Sequence, residues 1–543
     1  MSKKREASHQ GVYVLAYDIG TTGNKTCLYE VSDTIELVAS AMEGYGLTFT
    51  SGGGAEQNPD DWWNAMANTT KKILKKNKIN PSEIKGISFC SQMQGIVLVD
   101  KNGNALRPAM SYMDNRAEAQ KKRIVGHGIQ IEGVNIIALL KSLRRNMAAP
   151  ASTKDPLWKY HWVKENEPAI FSQVYKWLDV KDYLICRCTG KFIMTPDTAY
   201  GTFLYDTRKG KEGWSKTLCK IFDVNMEHLP TIVSATTCVG GLNASAAKDL
   251  GLEEGTSVFG GGGDATLIGV GAGMVNPGDT HIYAGTSGWV STMVKKQALD
   301  LNNMIASVPS SQSGTFCYFG EQETSGKCLE WVRDHLALDE IGCYLEKKKV
   351  TDDPESQFTS MYDYMVDTAI KTTTAGAGGI IFTPWLHGNR CPFEDAYARG
   401  MFFNISLDTG KRNMIRAMVE GICYHKRWIL ESSAKKVSIS NPIRFVGGGA
   451  LSYTICQILS DITGYEIETV ANPQNVGAVG AAVVVGIGLG KIASFSDVKT
   501  YIPATKCFYP SSDDKEHYDR NFEVFKNLYR ANKVNFHKLN KGR

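Results

Sequence analysis

Short apolar runs broken by glycine- and threonine-rich turns dominate the first hundred positions. Residues 12–17 are apolar enough for a buried strand, Asp18-Ile19-Gly20-Thr21-Thr22-Gly23-Asn24 is turn-forming, and residues 27–31 are apolar again. Strand, tight turn and strand make a hairpin. Residues 62–76 place apolar side chains at helical spacing, and Pro81 follows them. Residues 84–89 and 96–99 predict strands on either side of a polar loop, 90–95, and residues 100–103 predict a turn. Helical patterns and irregular loops prevail from 120 to 255. A strand at 257–260 then runs into four glycines, 260–263, and Asp264.

Asn276-Pro277-Gly278-Asp279 is a strong turn, and a second beginning follows it. Residues 280–284 and 289–293 predict strands around Gly285-Thr286-Ser287-Gly288, an echo of the first hairpin that suggests a duplicated domain. Near the end, a strand at 443–446 meets Gly447-Gly448-Gly449-Ala450, with helices predicted at 453–463 and, rich in small residues, at 477–489. The expected division is a first domain over 11–275, a second over 276–500 and a helical tail over 501–543.

Composition narrows the function classes. A chain of 543 residues exceeds what one hydrophobic core usually supports. Its 61 basic and 56 acidic residues are too balanced to argue for nucleic acid, and Lys71-Lys72 with Lys75-Lys76 reads as a solvated helix face. Residues 1–10 are too polar for a secretory signal, and 477–489 is too short to span a bilayer. The 13 dispersed cysteines contain no CxxC pair, so free thiols in a reducing cytoplasm are expected.

Several segments carry chemistry. A Gly/Thr turn offers N–H and hydroxyl donors to phosphate oxygens, and Asp18 at a strand end can hold Mg²⁺ while Lys25 adds positive charge. A plain β-turn is the alternative. Asp264 follows a backbone stripped of side chains, and there a carboxylate can accept the proton of an attacking hydroxyl, cap the next helix, or both. Residues 447–450 suit either a nucleotide or a tight strand-to-helix turn. The loop Ser91-Gln92-Met93-Gln94-Gly95 can pair its amides with sugar hydroxyls, while Asp114 and Arg116 could line the same pocket or form a structural ion pair. Ser325-Gly326-Lys327-Cys328 is set aside as a P-loop because Gly320 is misplaced and Cys328 replaces the metal-binding hydroxyl. Gly486-Ile487-Gly488-Leu489-Gly490 is set aside as a dinucleotide fingerprint because its third glycine is misplaced.

In this order the motifs resemble the FGGY carbohydrate kinases, and within them the xylulose kinases, from about Val12 to Gly490. The most specific stretches are Lys159-Tyr160-His161-Trp162-Val163-Lys164-Glu165-Asn166-Glu167-Pro168 and residues 384–400, which begin Pro384-Trp385-Leu386-His387-Gly388. The resemblance implies an α/β chain of two ribonuclease H-like domains of the actin/hexokinase ATPase type flanking a central cleft. It implies ATP with Mg²⁺ near Asp18, and Thr21, Thr22, Lys25, Gly285 and Thr286 at the phosphates. Gly448 and Gly449 would line the nucleoside, Gln92, Met93, Gln94 and Asp114 the sugar, and Asp264 would be the catalytic base. The expected reaction is D-xylulose to D-xylulose 5-phosphate in the cytoplasm, with a small sugar as the only partner besides a second copy in a homodimer, and with neither nucleic acid nor membrane. The chain departs from the xylulose kinases at Gln94 (usually His), at residues 112–116 (usually Trp-Asn-Asp-Gly-Arg) and at Asn389 (usually Glu). These positions are read as sugar-facing, so ribulose, gluconate, erythritol and other polyols stand as alternative acceptors. An actin- or Hsp70-like ATPase and a silent sugar sensor are the alternatives of another class.

Overall fold

The first apolar run extends beyond its hydrophobic core: β1 (Val12–Ile19) carries Asp18 as its penultimate residue and pairs antiparallel with β2 (Gly23–Val31), setting Asp18 opposite Lys25. β3 (Ile35–Gly44) continues the meander. The structure, a computed structural model, describes residues 11–131, 133–333 and 361–542. The polar segment 1–10 lies outside the described residues. Two compact units divide the chain: unit 1 comprises Met1–Val275, Val308–Phe316 and Val476–Ile502, and unit 2 comprises Asn276–Ser307, Cys317–Asn475 and Pro503–Arg543.

In unit 1, helix α1 (Pro59–Asn77) starts where Asn58 accepts the Asp60 N–H and Pro59 takes the first turn. Asp60 and Asp61 sit at its positive end and Lys75 and Lys76 at its negative end. It buries Trp62, Trp63, Met66, Ile73 and Leu74 in a core shared with the strands, and Thr70 Oγ1 meets the Tyr17 hydroxyl at 2.9 Å. β4 (Ile84–Ser91) runs parallel to β1. Helices α2 (Pro156–Asn166) and α3 (Val180–Thr189) follow. β5 (Cys238–Gly241), β6 (Ser257–Phe259) and β7 (Gly262–Gly263) complete the sheet, and β7 feeds helix α4 (Asp264–Gly271). The strand order is β5-β6-β4-β1-β2-β3, with β7 also beside β4. β6 and β7 lie parallel to β4. β1 and β4 are almost continuously buried, as expected of parallel strands covered on both faces.

Unit 2 repeats the scheme. β8 (Thr280–Ala284) and β9 (Gly288–Val294) form the second hairpin. β10 (Leu299–Asp300), β11 (Ile305–Pro309), β12 (Phe316–Gln322), β13 (Ile443–Val446), β14 (Ile467–Val470) and β15 (Ala504–Phe508) join it in the order β10-β11-β12-β9-β8-β13-β14-β15. β13 is parallel to β8, and β14 to β13. The order β3-β2-β1-β4-β6 in one unit and β12-β9-β8-β13-β14 in the other is the ribonuclease H-like arrangement, present twice.

The expected domain limits differ from this division in two places. The helix Val476–Gly488, placed by the sequence reading in the second domain, packs on β1, β4 and α4 and belongs to unit 1. It is apolar on every side, so it needs a groove rather than a surface, and the glycines at 486 and 488 lie inside it as packing residues. Residues 503–543 are no separate tail: the helix Lys515–Asn540 buries Phe522, Phe525 and Tyr529 in the unit 2 core. Among the described residues no helix is long and apolar enough to cross a membrane, and the twelve cysteines there are free thiols.

The contact between α4 and the helix Val476–Gly488 depends on Gly480, where an added Cβ would lie 2.1 Å from the Leu267 carbonyl oxygen. Gly480→Val is expected to destabilise unit 1 by about 3 kcal/mol through overpacking. Thermal or urea unfolding of the purified variant measures this, and an unchanged midpoint contradicts the packing described.

Candidate active site

Sheet register assembles the unit 1 site. β4 aligns Cys90 with Asp18 of β1 on one side and with Gly262 of β7 on the other, and Ser91 lies between Ile19 and Gly263. Neighbouring strands lie roughly 4.8 Å apart, so the strand ends bearing Asp18 and leading to Asp264 are separated by about 10 Å. Both end at the carboxyl edge of parallel strands, where open α/β sheets present their ligands. Burial pushes the Asp18 carboxyl above its ordinary range, and the nearby Lys25 charge opposes that rise. Burial also drives the Cys90 thiol far up, reinforced by the charges of Asp18, Asp264 and Asp197, which places all three carboxylates within electrostatic reach of one sulfur.

The Gly20–Thr22 turn is tied from behind. The Tyr45 hydroxyl donates to Gly20 O at 2.6 Å, Gln57 Nε2 donates to Thr21 O at 2.8 Å, and the Tyr45 N–H reaches Thr22 O at 3.1 Å. Thr21 Oγ1 meets the Tyr112 hydroxyl at 3.2 Å, and the Thr22 side chain is exposed. The backbone carbonyls of the turn are thus engaged, which suits a turn that offers donors to an anion.

Asp264 is half-buried and opens α4, where its Oδ1 accepts the Ala265 N–H at 2.8 Å. It is the first residue of that helix, directly after the capping position Gly263, and lies at the positive end of the helix dipole. Close backbone approach restricts the glycines before it: a Cβ on Gly261 would lie 2.3 Å from the Phe89 carbonyl oxygen, and one on Gly263 would meet the Met93 side chain. Met93 and Asp264 are so brought together. Behind them stands Asp197, buried, with Oδ2 accepting the Gly263 N–H at 2.8 Å and Thr266 Oγ1 at 2.7 Å. Sequence reasoning missed Asp197. Its only local signal is Thr195-Pro196-Asp197, which marks a helix start.

The polar loop after β4 is partly as expected. Gln94 is half-buried and adopts a left-handed backbone, φ +62°, while Asp179 accepts both the Gln94 N–H at 2.9 Å and the Gly95 N–H at 3.0 Å. Gln92 is only 4% exposed, and its Nε2 donates to Gln57 Oε1 at 2.8 Å. Because Gln57 holds Thr21 O, Gln92 braces the phosphate-type turn through its amide nitrogen, while its Oε1 has no hydrogen-bond partner among the described residues. Asp114 departs from the expected sugar contact. It is fully buried, Oδ2 accepts the Ala55 N–H at 2.8 Å, and Arg116 pairs with it at 2.7 Å, the structural alternative left open by the sequence. Asn389, read as sugar-facing, is a buried strut of unit 2 whose Nδ2 donates to Cys391 O at 3.1 Å and Phe393 O at 2.8 Å.

Unit 2 holds a cavity of about 370 Å³, a size suited to a small organic ligand. Gly285, Thr286, Gly448 and Gly449 line it together with Leu329, Ile422, Phe445 and Leu451, so its wall is largely apolar. Ser325 and Gly326, excluded above as part of a P-loop, also line it. Their N–H groups donate to Thr286 O at 3.0 Å and Gly285 O at 2.8 Å, which fixes the second turn from outside. Lys426 forms part of the wall, its Nζ donating to Tyr283 O and Gln322 Oε1, each at 3.0 Å, and burial pushes its ammonium down to about 7. Among the described residues no group of three or more His, Cys, Asp or Glu side chains could hold a metal ion.

The N-terminal domain of the FGGY family of carbohydrate kinases matches residues 13–271, and the C-terminal domain of the same family matches 281–489. A xylulose kinase from Bacillus subtilis is 28% identical over 95% of this chain and 96% of its own. A gluconokinase from the same organism is 27% identical over 95% of this chain and 96% of its own. The crystal structure of ligand-bound xylulose kinase from Lactobacillus acidophilus superposes with a TM-score of 0.82 at 25% identity, covering 97% of this chain and 99% of that one. With both halves matched and two like units in the fold, the chain belongs to the FGGY family of carbohydrate kinases and is an ATP-dependent sugar kinase.

Proposed function

We propose that the acceptor is D-xylulose, phosphorylated at its 5-hydroxyl, and that Asp264 is the general base. The observation that carries the second part is the β1-β4-β7 register, which brings Asp18, Met93 and Asp264 to one sheet edge. The acceptor lies against Met93 and Gln94. Its hydroxyl oxygen attacks the γ-phosphorus of ATP, the bond from that phosphorus to the β,γ-bridging oxygen breaks, ADP leaves with the electron pair, and Asp264 takes the hydroxyl proton. The unit 2 cavity suits the nucleoside against its apolar wall, with Gly448 and Gly449 leaving room for it and the Thr286 turn at its edge, and within unit 1 the turn bearing Thr21 and Thr22 offers donors to phosphate. Lys25, across from Asp18, adds positive charge beside the first turn.

Asp18 fits a Mg²⁺ ion carried by the nucleotide. Its carboxyl is raised by burial, so a divalent cation favours the ionised form. With no multidentate cluster among the described residues, phosphate oxygens and water would supply the remaining ligands. When bound, the ion neutralises charge on the β- and γ-phosphates.

The sugar is argued from charge. The gluconokinase relative raises gluconate as a second reading, and a carboxylate acceptor calls for a cation. The cations of the acceptor loops are engaged: Arg116 pairs with Glu56 at 2.9 Å and Asp114 at 2.7 Å, and Lys159 Nζ donates to two backbone carbonyls. A neutral polyol fits this wall better, and the Gln94 amide can pair with its hydroxyls without changing charge.

Asp264→Asn is expected to lower kcat by roughly 10²–10⁴-fold while leaving ATP affinity within about two-fold, since general-base catalysis accounts for that range. Turnover is read by coupled ADP release and affinity by calorimetry, and full turnover in the variant rejects the assignment. In the same assay D-xylulose is expected to give a higher kcat/KM than D-ribulose, erythritol or gluconate. Gluconate ranking first reverses the charge argument.

A further inference from the structure

The specific stretch that begins at Lys159 contains a buried cation that the reaction does not consume. Lys159, on α2, is 0% exposed, and its Nζ donates to Ser111 O at 2.6 Å and Gln94 O at 3.2 Å. Ser111 directly precedes Tyr112, whose hydroxyl meets Thr21 in the phosphate-type turn. From the other side Asp179 accepts the Gln94, Gly95 and Val180 N–H groups. One residue, Gln94, is thus held at its N–H by a buried carboxylate and at its carbonyl by a buried ammonium, in a left-handed conformation that L side chains keep only when constrained.

We infer that Lys159 and Asp179 are positioning residues that set acceptor specificity: together they clamp the Gln94 backbone and lock the Gln92–Gln94 loop in register with the Ser111–Asp114 loop. The inference rests on the reading that the acceptor lies against Met93 and Gln94. A left-handed residue aims its side chain differently from an extended one, so releasing the clamp moves the Gln94 amide relative to Asp264 and costs alignment with particular hydroxyls. Burial is costly for both charges. Burial pushes the Lys159 ammonium down to about 8, opposed by Asp114, Asp155 and Asp179, and pushes the Asp179 carboxyl up to about 7, reinforced by Asp182 and opposed by the N–H bonds it accepts and by Lys181. The backbone hydrogen bonds of the two side chains offset that cost, and an apolar residue at either position would leave buried N–H or carbonyl groups unpaired.

The test uses the full chain and five proteins: wild type, Lys159→Met, Asp179→Asn, Gln94→Ala, and Leu184→Ala as a control that opens a cavity where α3 packs in the apolar core of unit 1. In Asp179→Asn an amide NH₂ replaces the oxygen facing the Gln94 N–H, which loses its acceptor. Lys159→Met and Asp179→Asn are expected to raise the acceptor KM about ten-fold or more and to flatten the ranking of D-xylulose over D-ribulose and erythritol, with the ATP KM within about two-fold of wild type. Leu184→Ala is expected to lower the melting temperature with the acceptor KM and ranking unchanged. If Gln94→Ala raises the acceptor KM but neither clamp variant does, the inference is overturned and the acceptor reading stands. If Gln94→Ala also leaves the acceptor KM unmoved, the acceptor reading fails and takes the inference with it. Should Lys159→Met not fold, Asp179→Asn decides alone; should neither fold, the pair is a folding element and the inference is overturned.

Discussion

The pairing of three strand ends, Asp18 with Cys90 and Cys90 with Gly262, is the constraint on which the unit 1 site depends. A one-residue slip in a strand turns every side chain to the opposite face. Here it would carry Asp18 away from the edge shared with Asp264. The register is fixed by burial on both faces of β1 and β4 and by the helix Val476–Gly488, which lies against both strands and α4. The carboxylates proposed for the chemistry are thus located by backbone hydrogen bonding and apolar packing, and burial of the Asp18 charge opposes the arrangement.

Unit 2 uses the same topology for a different end. Its hairpin turn at Gly285–Thr286 is secured by N–H donors from Ser325 and Gly326, whereas the unit 1 turn is secured by side chains of Tyr45, Gln57 and Tyr112. The difference follows from the neighbours. The unit 2 turn borders a largely apolar cavity, where a backbone brace introduces no side chain into the space. The unit 1 turn borders polar loops, where tyrosine and glutamine can satisfy their own polar ends on carbonyls.

Much of this was legible in the sequence because it is local. Both hairpins, α1, the strand before Gly447 and the helix after it follow from apolar periodicity and turn residues. Asp18 and Asp264 stand out because the chain around them loses its side chains. What the sequence hid is non-local. Val476–Gly488 reads as part of the second half by position alone, yet its all-round apolar surface is satisfied only in unit 1. Asp197, Asp179 and Lys159 look like ordinary charges in or beside helices until long-range pairing shows which backbone groups they hold. Gln92 and Asp114 were recognised as polar and clustered, but periodicity does not reveal that one faces Gln57 and the other Arg116.

These hidden charges share a pattern that bears on mechanism. Asp179 and Asp197 accept backbone N–H groups at the loop or turn bearing a functional residue, and Lys159 donates to carbonyls at two loops. A backbone held by ionic hydrogen bonds resists displacement more than one held by neutral bonds, because charge-assisted bonds are roughly twice as strong. An acceptor bound at loops held in this way would have less conformational entropy to remove. Rigidity of this kind discriminates between epimers, whose hydroxyls differ in direction and hardly at all in chemistry. The proposed acceptor site, built from a neutral amide, a thioether and a half-buried carboxylate, would therefore draw its selectivity from the direction of its groups, which the charges beneath it would set.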